Sequence, residues 1–419
     1  MIQLIRGFKD ILQPEGRLWQ RIETEARRLF ESHGYHEIRL PILEKTELFA
    51  RSIGETTDIV EKEMYTFTDR GGESLTLRPE ATASVVRAYI QHKLSGTEPI
   101  RKLYTIGPMF RRERPQKGRY RQFYQIDVEA FGIASPYVDA QMILMLASLL
   151  ERLGVTGISA HVNSLGCPDC RPPYRENLKA FIEEKASELC DDCLRRRDKN
   201  PLRVLDCKNE SCRKAMAQAP ELLDKLCKPC AEHFATVRKE LDKRDISYKV
   251  DKRLVRGLDY YTRTAFELQT DMLGAQSSVA GGGRYDGLVK TLGGPDIPAI
   301  GFAIGFDRLV EVIAQTLPPE ECPPHVFFIP LGEKAMEKAF DLCMQLAEQG
   351  IHSETDYSGR SLKALMKRAD RLAASLVVIM GDNELSTGSV TLKSMATGEQ
   401  ETVSMEGLIQ TLVQGFRKA

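Results

Sequence analysis

Apolar residues near the N-terminus recur at helical spacing. Leu18, Ile22, Ala26, Leu29 and Phe30 share one face, and the pattern stops at Gly34, a suitable C-terminal cap. This predicts a long opening helix. Shorter β-rich runs follow at 36–40, 64–68, 74–78, 102–109 and 122–131, separated by turn residues and polar stretches, and they predict an antiparallel sheet. Helical period returns over 139–153. Further strands are predicted at 263–268 and 299–304, the second running into a helix from Gly305.

The texture changes between Cys167 and Lys252. There the segments are charged and helical, they hold eight of the ten cysteines, and β-rich sequence resumes only at Val255. This predicts a helical insertion over 167–252 within a larger domain spanning 1–322. The stretch LPPEECPPH at 317–325 has four prolines in nine residues, which can neither continue a helix nor donate to a central strand ladder. It is the predicted linker. Beyond it, a strand at 326–331, a helix to Gln349, a strand at 352–356, a helix at 361–373 and a strand at 376–380 alternate as in an α/β domain over 326–419.

Composition narrows the class of protein. With 42% hydrophobic and 28% charged residues the chain is an ordinary globular one, and 59 basic residues balance 59 acidic ones. A net charge of zero excludes whole-chain attraction to nucleic acid or membrane, so any such partner must meet a local patch. Arg6, Lys9 and Asp10 interrupt any secretory apolar region at the start, and the longest apolar runs fall short of the ~18–20 residues that span a bilayer. A cytoplasmic protein without membrane partners is expected, and cysteines mostly in Cys-x-x-Cys pairs fit reduced thiols or metal ligands.

Four segments could carry chemistry. RRERPQKGRYR at 111–121 sets Arg111, Arg112, Arg114, Lys117, Arg119 and Arg121 against the single acid Glu113. Between two strands such a loop would aim guanidinium forks together at phosphate oxygens, although charge runs are also common on solvated loops. VAGGGRYDGL at 279–288 would admit close backbone approach to a ligand, or form a glycine-rich bulge or turn; it lacks the ending of a Walker A loop. LVRGLDYYTRTAFE at 254–267 offers Arg256, Asp259, Tyr260 and Tyr261 to a pocket or to a structural network. LRPEAT, with Arg78, Glu80 and Thr82, suits a helix N-terminus carrying a stabilising acid.

The cysteines form a further pattern. Cys167-x-x-Cys170, nineteen residues, then Cys190-x-x-Cys193 has the spacing of a tetrahedral four-cysteine zinc site, and Cys207, Cys212, Cys227 and Cys230 could complete a second. Reduced thiols in a helical insertion are the other reading. In the last domain, Lys363, Lys367 and Arg371 fall at i, i+4 and i+8, one basic stripe suited to RNA phosphates or simply to solvent.

Together these segments resemble the histidyl-tRNA synthetases, a class II aminoacyl-tRNA synthetase family, over essentially the whole chain. The motifs that carry the resemblance are RGFKDI, IRLPILEKTELFARSIGETTDIVEKEMYTF, TLRPEATA, FRRERPQKGRYRQFYQIDVE, LVRGLDYYTRTAFE, AGGGRYDGL and IGFAIGFDRL, of which LVRGLDYY and GGRYDGL are specific to the histidine branch. The resemblance implies an α+β fold: an antiparallel-sheet catalytic core, an inserted helical domain and a C-terminal α/β anticodon-binding domain. It implies ATP-dependent ligation of histidine to its tRNA through an adenylate, in a cytoplasmic homodimer, with Mg²⁺ on the ATP phosphates and zinc only as a structural addition. Arg111 and Arg256 are implied as catalytic. Glu80, Thr82, Gln125, Glu129, Arg256, Tyr260 and Tyr261 are implied to hold histidine, and Arg111, Glu113, Arg119 and Arg308 to hold ATP. Lys117, Lys363, Lys367 and Arg371 are tRNA candidates. A non-catalytic relative, the regulatory subunit of ATP phosphoribosyltransferase, would lack the last domain and degrade the arginines; another class II specificity is disfavoured by LVRGLDYY.

Overall fold

The structure, a computed structural model, describes the chain apart from residues 55, 56, 58, 97, 117, 273–277, 318–320, 418 and 419, and gives only the backbone of 199 and 417. Lys117 and part of the predicted linker therefore lie outside the described residues. The chain divides into two compact units, Met1–Pro319 and Glu320–Ala419.

The first unit is built on an eight-stranded sheet. Its order is His36–Glu37, Arg101–Phe110, Gln122–Phe131, Ala299–Gly305, Ser278–Arg284, Thr262–Thr270, Ile158–Ser164 and Tyr248–Val250, antiparallel except for the pairs at its two edges. Alternation decides which way each strand faces. Along Gln122–Phe131, Ile126, Val128 and Ala130 enter the main core, so Gln125, Asp127 and Glu129 must lie on the opposite face. The helices Glu15–Ser32, Pro136–Arg152, Lys228–Asp242 and Phe306–Thr316 cover the apolar face. The opening helix buries the Leu18, Ile22, Ala26, Leu29 and Phe30 stripe, as its spacing predicts, and Trp19 stacks on Phe306 at 4.3 Å between ring centroids. A small three-stranded sheet, in the order Leu43–Lys45, Ser74–Leu77, Tyr65–Thr68, flanks the same unit.

The glycine-rich run realises the bulge and the close approach expected of it, though not the turn: Ser278–Arg284 is a central strand, bulged at both ends. Two expectations change. Ile158–Ser164 and Tyr248–Val250 are strands that the sequence pattern did not predict. The insertion predicted over 167–252 ends sooner as a separate body, because Phe234, Val237 and Leu241 pack into the main core and Tyr248–Val250 joins the main sheet. Its own small core is built around residues such as Tyr174, Leu178, Ile182 and Met216. In the second unit, Ser353–Thr355, Val326–Leu331 and Leu376–Gly381 run parallel, Ser389–Ser394 and Gln400–Ser404 continue antiparallel, and the helices Glu333–Glu348, Leu362–Arg371 and Leu408–Arg417 accompany them.

One fully buried ion pair ties this frame together. Arg284, from the glycine-rich strand, is bidentate to Asp139 on the helix Pro136–Arg152, and His233 Nε2 on Lys228–Asp242 lies 2.7 Å from the same carboxylate. Burial alone would push the Asp139 carboxyl up, but the His233 and Arg284 contacts hold it below the usual carboxylate range. Arg284→Met should therefore destabilise the protein by about 3–5 kcal/mol in urea unfolding, because it strands a buried carboxylate. The double variant Asp139→Asn with Arg284→Met should lose less than Arg284→Met alone, since the uncompensated charge is removed with its partner.

Candidate active site

The polar face of the sheet lines a cavity of about 490 Å³. Of the sequence-predicted residues, Glu80, Thr82, Arg111, Glu113, Arg119, Gln125, Arg256, Tyr260, Tyr261 and Arg308 all reach it. They come from segments up to 230 positions apart, yet each is placed by local structure. Glu80 precedes the helix Thr82–Gln91 and accepts from the backbone N–H groups of Thr82 at 3.0 Å and Ala83 at 2.8 Å. The helix-terminus reading of LRPEAT and its pocket reading are thus both realised, because the carboxylate that caps the helix also faces the cavity.

Glu129 sits behind the wall. Its Oε1 accepts from the Thr82 hydroxyl at 2.6 Å and its Oε2 from the Tyr285 hydroxyl at 2.5 Å, and both hydroxyl-bearing residues line the cavity. Burial, opposed by those two hydrogen bonds and aided by the Glu80 charge, pushes its carboxyl up to about 8. Asp127, between Gln125 and Glu129 on the same face, is raised well above its ordinary value by burial first and then by the Glu129 and Glu80 charges. Asp127 lines the cavity without being among the sequence-predicted residues, although the alternation of QIDVE carries the signal.

Cations are pinned at the other side. Arg256 pairs with Glu267 and lies over the Tyr261 ring at 5.7 Å. Arg111 lines the cavity, donates from Nε to the Pro79 carbonyl at 2.9 Å and lies over Phe123 at 5.1 Å, so its position is fixed. Arg308 donates to the Ser278 carbonyl at 3.2 Å, and Arg119 pairs with Glu113 at 3.3 Å. The arginine-rich segment does not aim all its guanidinium groups together. Arg112 lies over Tyr65 and Arg121 donates to the Glu113 and Arg6 carbonyls, leaving Arg111 and Arg119 as its described arginines at the cavity.

Two glycines make the arrangement sterically possible. A β-carbon at Gly281 would overlap the Arg256 guanidinium, and one at Gly301 would overlap the Glu129 carboxylate. With those β-carbons missing, charged groups can lie flat against the sheet. Three buried polar atoms have no hydrogen-bond partner among the described residues and belong to cavity-lining residues: Gln125 Oε1, Asp127 Oδ2 and Arg256 Nε. Buried polar groups are nearly always satisfied, so two acceptors and a donor converging here call for a ligand carrying both a cationic donor group and an acceptor.

The cysteines assemble, but in a different partition from the one predicted. Cys167 and Cys170 meet Cys227 and Cys230, while Cys190 and Cys193 meet Cys207 and Cys212, and the sulfurs of each group lie within 4.8 Å of one another. The predicted set of Cys167, Cys170, Cys190 and Cys193 is therefore corrected. The helix Arg171–Glu184 carries the chain away from the first pair, and the chain has returned to it at Cys227, the N-cap of Lys228–Asp242, so the ends of the insertion close on each other. Lys363, Lys367 and Arg371 are exposed on the helix Leu362–Arg371, opposite its buried Leu365 and Ala369.

Comparison with known proteins fits this geometry. A family model described as histidyl-tRNA synthetase matches residues 7–309, and one described as an anticodon binding domain matches 325–415. The histidine–tRNA ligase of Desulforapulum autotrophicum is 61% identical over 410 residues, covering 97% of this chain and 96% of that protein. The apo histidyl-tRNA synthetase of S. aureus superposes with a TM-score of 0.84 at 38% identity, covering 99% of this chain and 100% of that one. A Bacillus halodurans structure named as an ATP phosphoribosyltransferase regulatory subunit/histidyl-tRNA synthetase shares the fold with a TM-score of 0.67 at 20% identity. The match to an anticodon-binding model, and Arg111, Arg256 and Arg308 all lining one cavity, set this chain apart from the regulatory reading. A model spanning most of the first unit and 61% identity along nearly the whole length leave one assignment: the chain belongs to the histidyl-tRNA synthetase family, class II enzymes that charge tRNA with histidine.

Proposed function

We propose that histidyl-adenylate forms in this cavity, with the acidic wall holding the amino acid and the arginines holding ATP. The observation that carries the proposal is the set of orphaned buried atoms, Gln125 Oε1, Asp127 Oδ2 and Arg256 Nε. Histidine supplies what they lack. Its α-ammonium has donors for Glu80, Gln125 and Asp127, its α-carboxylate accepts from Arg256, and its imidazole reaches toward Glu129 through the Thr82, Tyr260, Tyr261 and Tyr285 side. A pocket built to satisfy polar side-chain atoms rejects residues that lack them by large factors.

In the first step a carboxylate oxygen of histidine attacks the α-phosphorus of ATP and pyrophosphate leaves. Negative charge builds at the α-phosphate, and fixed cations aimed there lower the barrier. Arg256 holds nucleophile and electrophile together, Arg111 stabilises the α-phosphate oxygens, and Arg119, Glu113 and Arg308 hold the nucleotide. Magnesium would accompany ATP and neutralise phosphate charge, and Glu113 and Glu267, the carboxylates on the arginine side of the cavity, would be the residues to hold it. In the second step a hydroxyl of the terminal tRNA ribose attacks the histidyl carbonyl, and AMP leaves. The second unit meets the anticodon arm through Lys363, Lys367 and Arg371. Lys117, outside the described residues, is a candidate for tRNA contact by sequence alone. The homodimeric and cytoplasmic parts of this reading rest on the family resemblance; no helix among the described residues is long and apolar enough to cross a membrane.

Three measurements test these roles. Arg256→Ala should lower kcat for histidine-dependent ATP–pyrophosphate exchange by at least ~10², with little change in folding; near-normal exchange would sink the assignment. For Glu129, whose carboxyl is raised to about 8, a ligand N–H favours the ionised form. Binding therefore releases a proton below that pH, and histidine affinity should rise by about fivefold from pH 7 to pH 8, a slope that Glu129→Gln should abolish without changing ATP affinity. Isothermal titration at the two pH values decides it. Replacing Lys363, Lys367 and Arg371 together with Gln should flatten the salt dependence of tRNA binding by up to about three units of slope, leaving pyrophosphate exchange intact.

A further inference from the structure

We propose that the two cysteine quartets are two separate zinc sites, and that they brace the segment Arg256–Tyr261 of the histidine pocket from behind. The metal part of the proposal stands on geometry. Four thiolates around zinc at about 2.3 Å form a tetrahedron with sulfur–sulfur edges of about 3.8 Å. Here Cys167 Sγ lies 3.6 Å from Cys170 Sγ and 3.8 Å from Cys227 Sγ, and Cys190 Sγ lies 3.9 Å from Cys207 Sγ. Those separations are far longer than a disulfide bond of about 2.05 Å, and all ten cysteines are unpaired.

Backbone donors are placed as thiolate ligands require. The N–H of Cys227 donates to Cys170 Sγ at 3.2 Å, and the N–H of Cys190 donates to Cys212 Sγ at 3.2 Å. Cys170, Cys190 and Cys227 each cap the N-terminus of a helix of nine or more residues, where the helix dipole favours negative charge. With four protein sulfurs at each site no coordination position is left for a substrate, so the metal is structural. Each zinc replaces the thiol protons, which go to solvent. The insertion needs such staples because its own core is small, and Cys193 and Cys212 are fully buried within it.

Both sites connect to the pocket. Beside the first site, Arg171 follows Cys170 and donates to the carbonyls of Leu165, at 2.9 Å, and Tyr261. Gly166 approaches Cys170 so closely that a β-carbon there would lie 2.9 Å from Cys170 Cβ, and the Gly166 carbonyl accepts from Arg263 N–H at 2.8 Å. The second site closes the loop from Cys193 to Cys207. That loop carries Asn200, whose amide donates to Asp259 at 2.5 Å, and Arg203, which donates to the Arg256 carbonyl at 3.3 Å. One site thus holds the backbone of Tyr261 and the other that of Arg256. Arg171, Asn200 and Arg203 are positioning residues, since they touch the pocket segment and not the substrate. This bracing rests on the histidine-pocket reading above, whereas the metal sites do not.

Elemental mass spectrometry of the full chain, purified without chelator, should find two zinc ions per chain, one for each quartet. Cys227→Ser and Cys207→Ser should each leave one. In both variants histidine-dependent pyrophosphate exchange should lose about tenfold or more in kcat/KM for histidine, through KM for histidine, with KM for ATP little changed. A measurement on the unaltered chain covers a variant that fails to fold: titration with an organomercurial should release zinc, read by a metallochromic dye, in two steps of four thiols each. Fewer than two zinc ions, or single variants that lose both ions or neither, would overturn the metal sites and leave the histidine reading standing. Zinc at the expected stoichiometry with an unchanged KM for histidine in both variants would overturn the brace. Absence of histidine-dependent exchange in the unaltered chain would overturn the pocket reading, and the brace with it.

Discussion

Three carboxylates, Glu80, Asp127 and Glu129, are buried on one side of a cavity whose arginines are held on the other. Burying acids together is costly, because burial raises the proton affinity of all three, and the Glu80 charge raises that of Asp127 and Glu129 further, as the Glu129 charge does that of Asp127. The chain offsets that cost only in part. Glu80 takes two backbone N–H groups and Glu129 two hydroxyls, while one oxygen of Asp127 is left without a partner. On the proposed reading, an amino acid with an ammonium group and an imidazole completes the set, and a site whose polar atoms are satisfied by its own substrate alone is the condition for selective binding. The sheet meets this constraint with polar residues alternating toward the cavity, and with Gly281 and Gly301 where charged groups must lie against its surface.

The Arg284–Asp139 pair shows the opposite arrangement of buried charge. There every oxygen of the acid is engaged, by Arg284 and His233, and the guanidinium is further satisfied by the Ile133 and Ser135 carbonyls and by Asp286. Nothing is left for a ligand. The pair joins two helices to the glycine-rich strand and so fixes the strand that supports Arg256 through Gly281. This pair is fully satisfied within the chain, whereas Gln125, Asp127 and Arg256 at the cavity are not.

The insertion supports the cavity from outside the main sheet. Its helices carry residues that reach the carbonyls and side chains of the Arg256–Tyr261 segment, so order within the insertion translates into order at the back of the pocket. On the proposal above, the two cysteine quartets supply the order that so small an apolar core leaves to be made up.

Period and composition were enough to determine a good deal. The stripe from Leu18 to Phe30 specified the opening helix, because only one face of it could be apolar, and the alternation across Gln122–Phe131 already assigned Gln125 and Glu129 to one side. The motifs were legible because the phosphate and amino-acid chemistry demands particular residue types in short segments. Tertiary structure decided the rest. Ile158–Ser164 and Tyr248–Val250 become strands only because a sheet edge is there to accept them, and the three glycines of Ser278–Arg284 become a strand because neighbouring backbone and side chains occupy the space of their β-carbons. The partition of the eight cysteines, and the convergence of Gln125, Asp127 and Arg256 on one cavity, depend on where distant segments return. Spacing along a chain measures local reach, and it says nothing about which ends the folded path brings together.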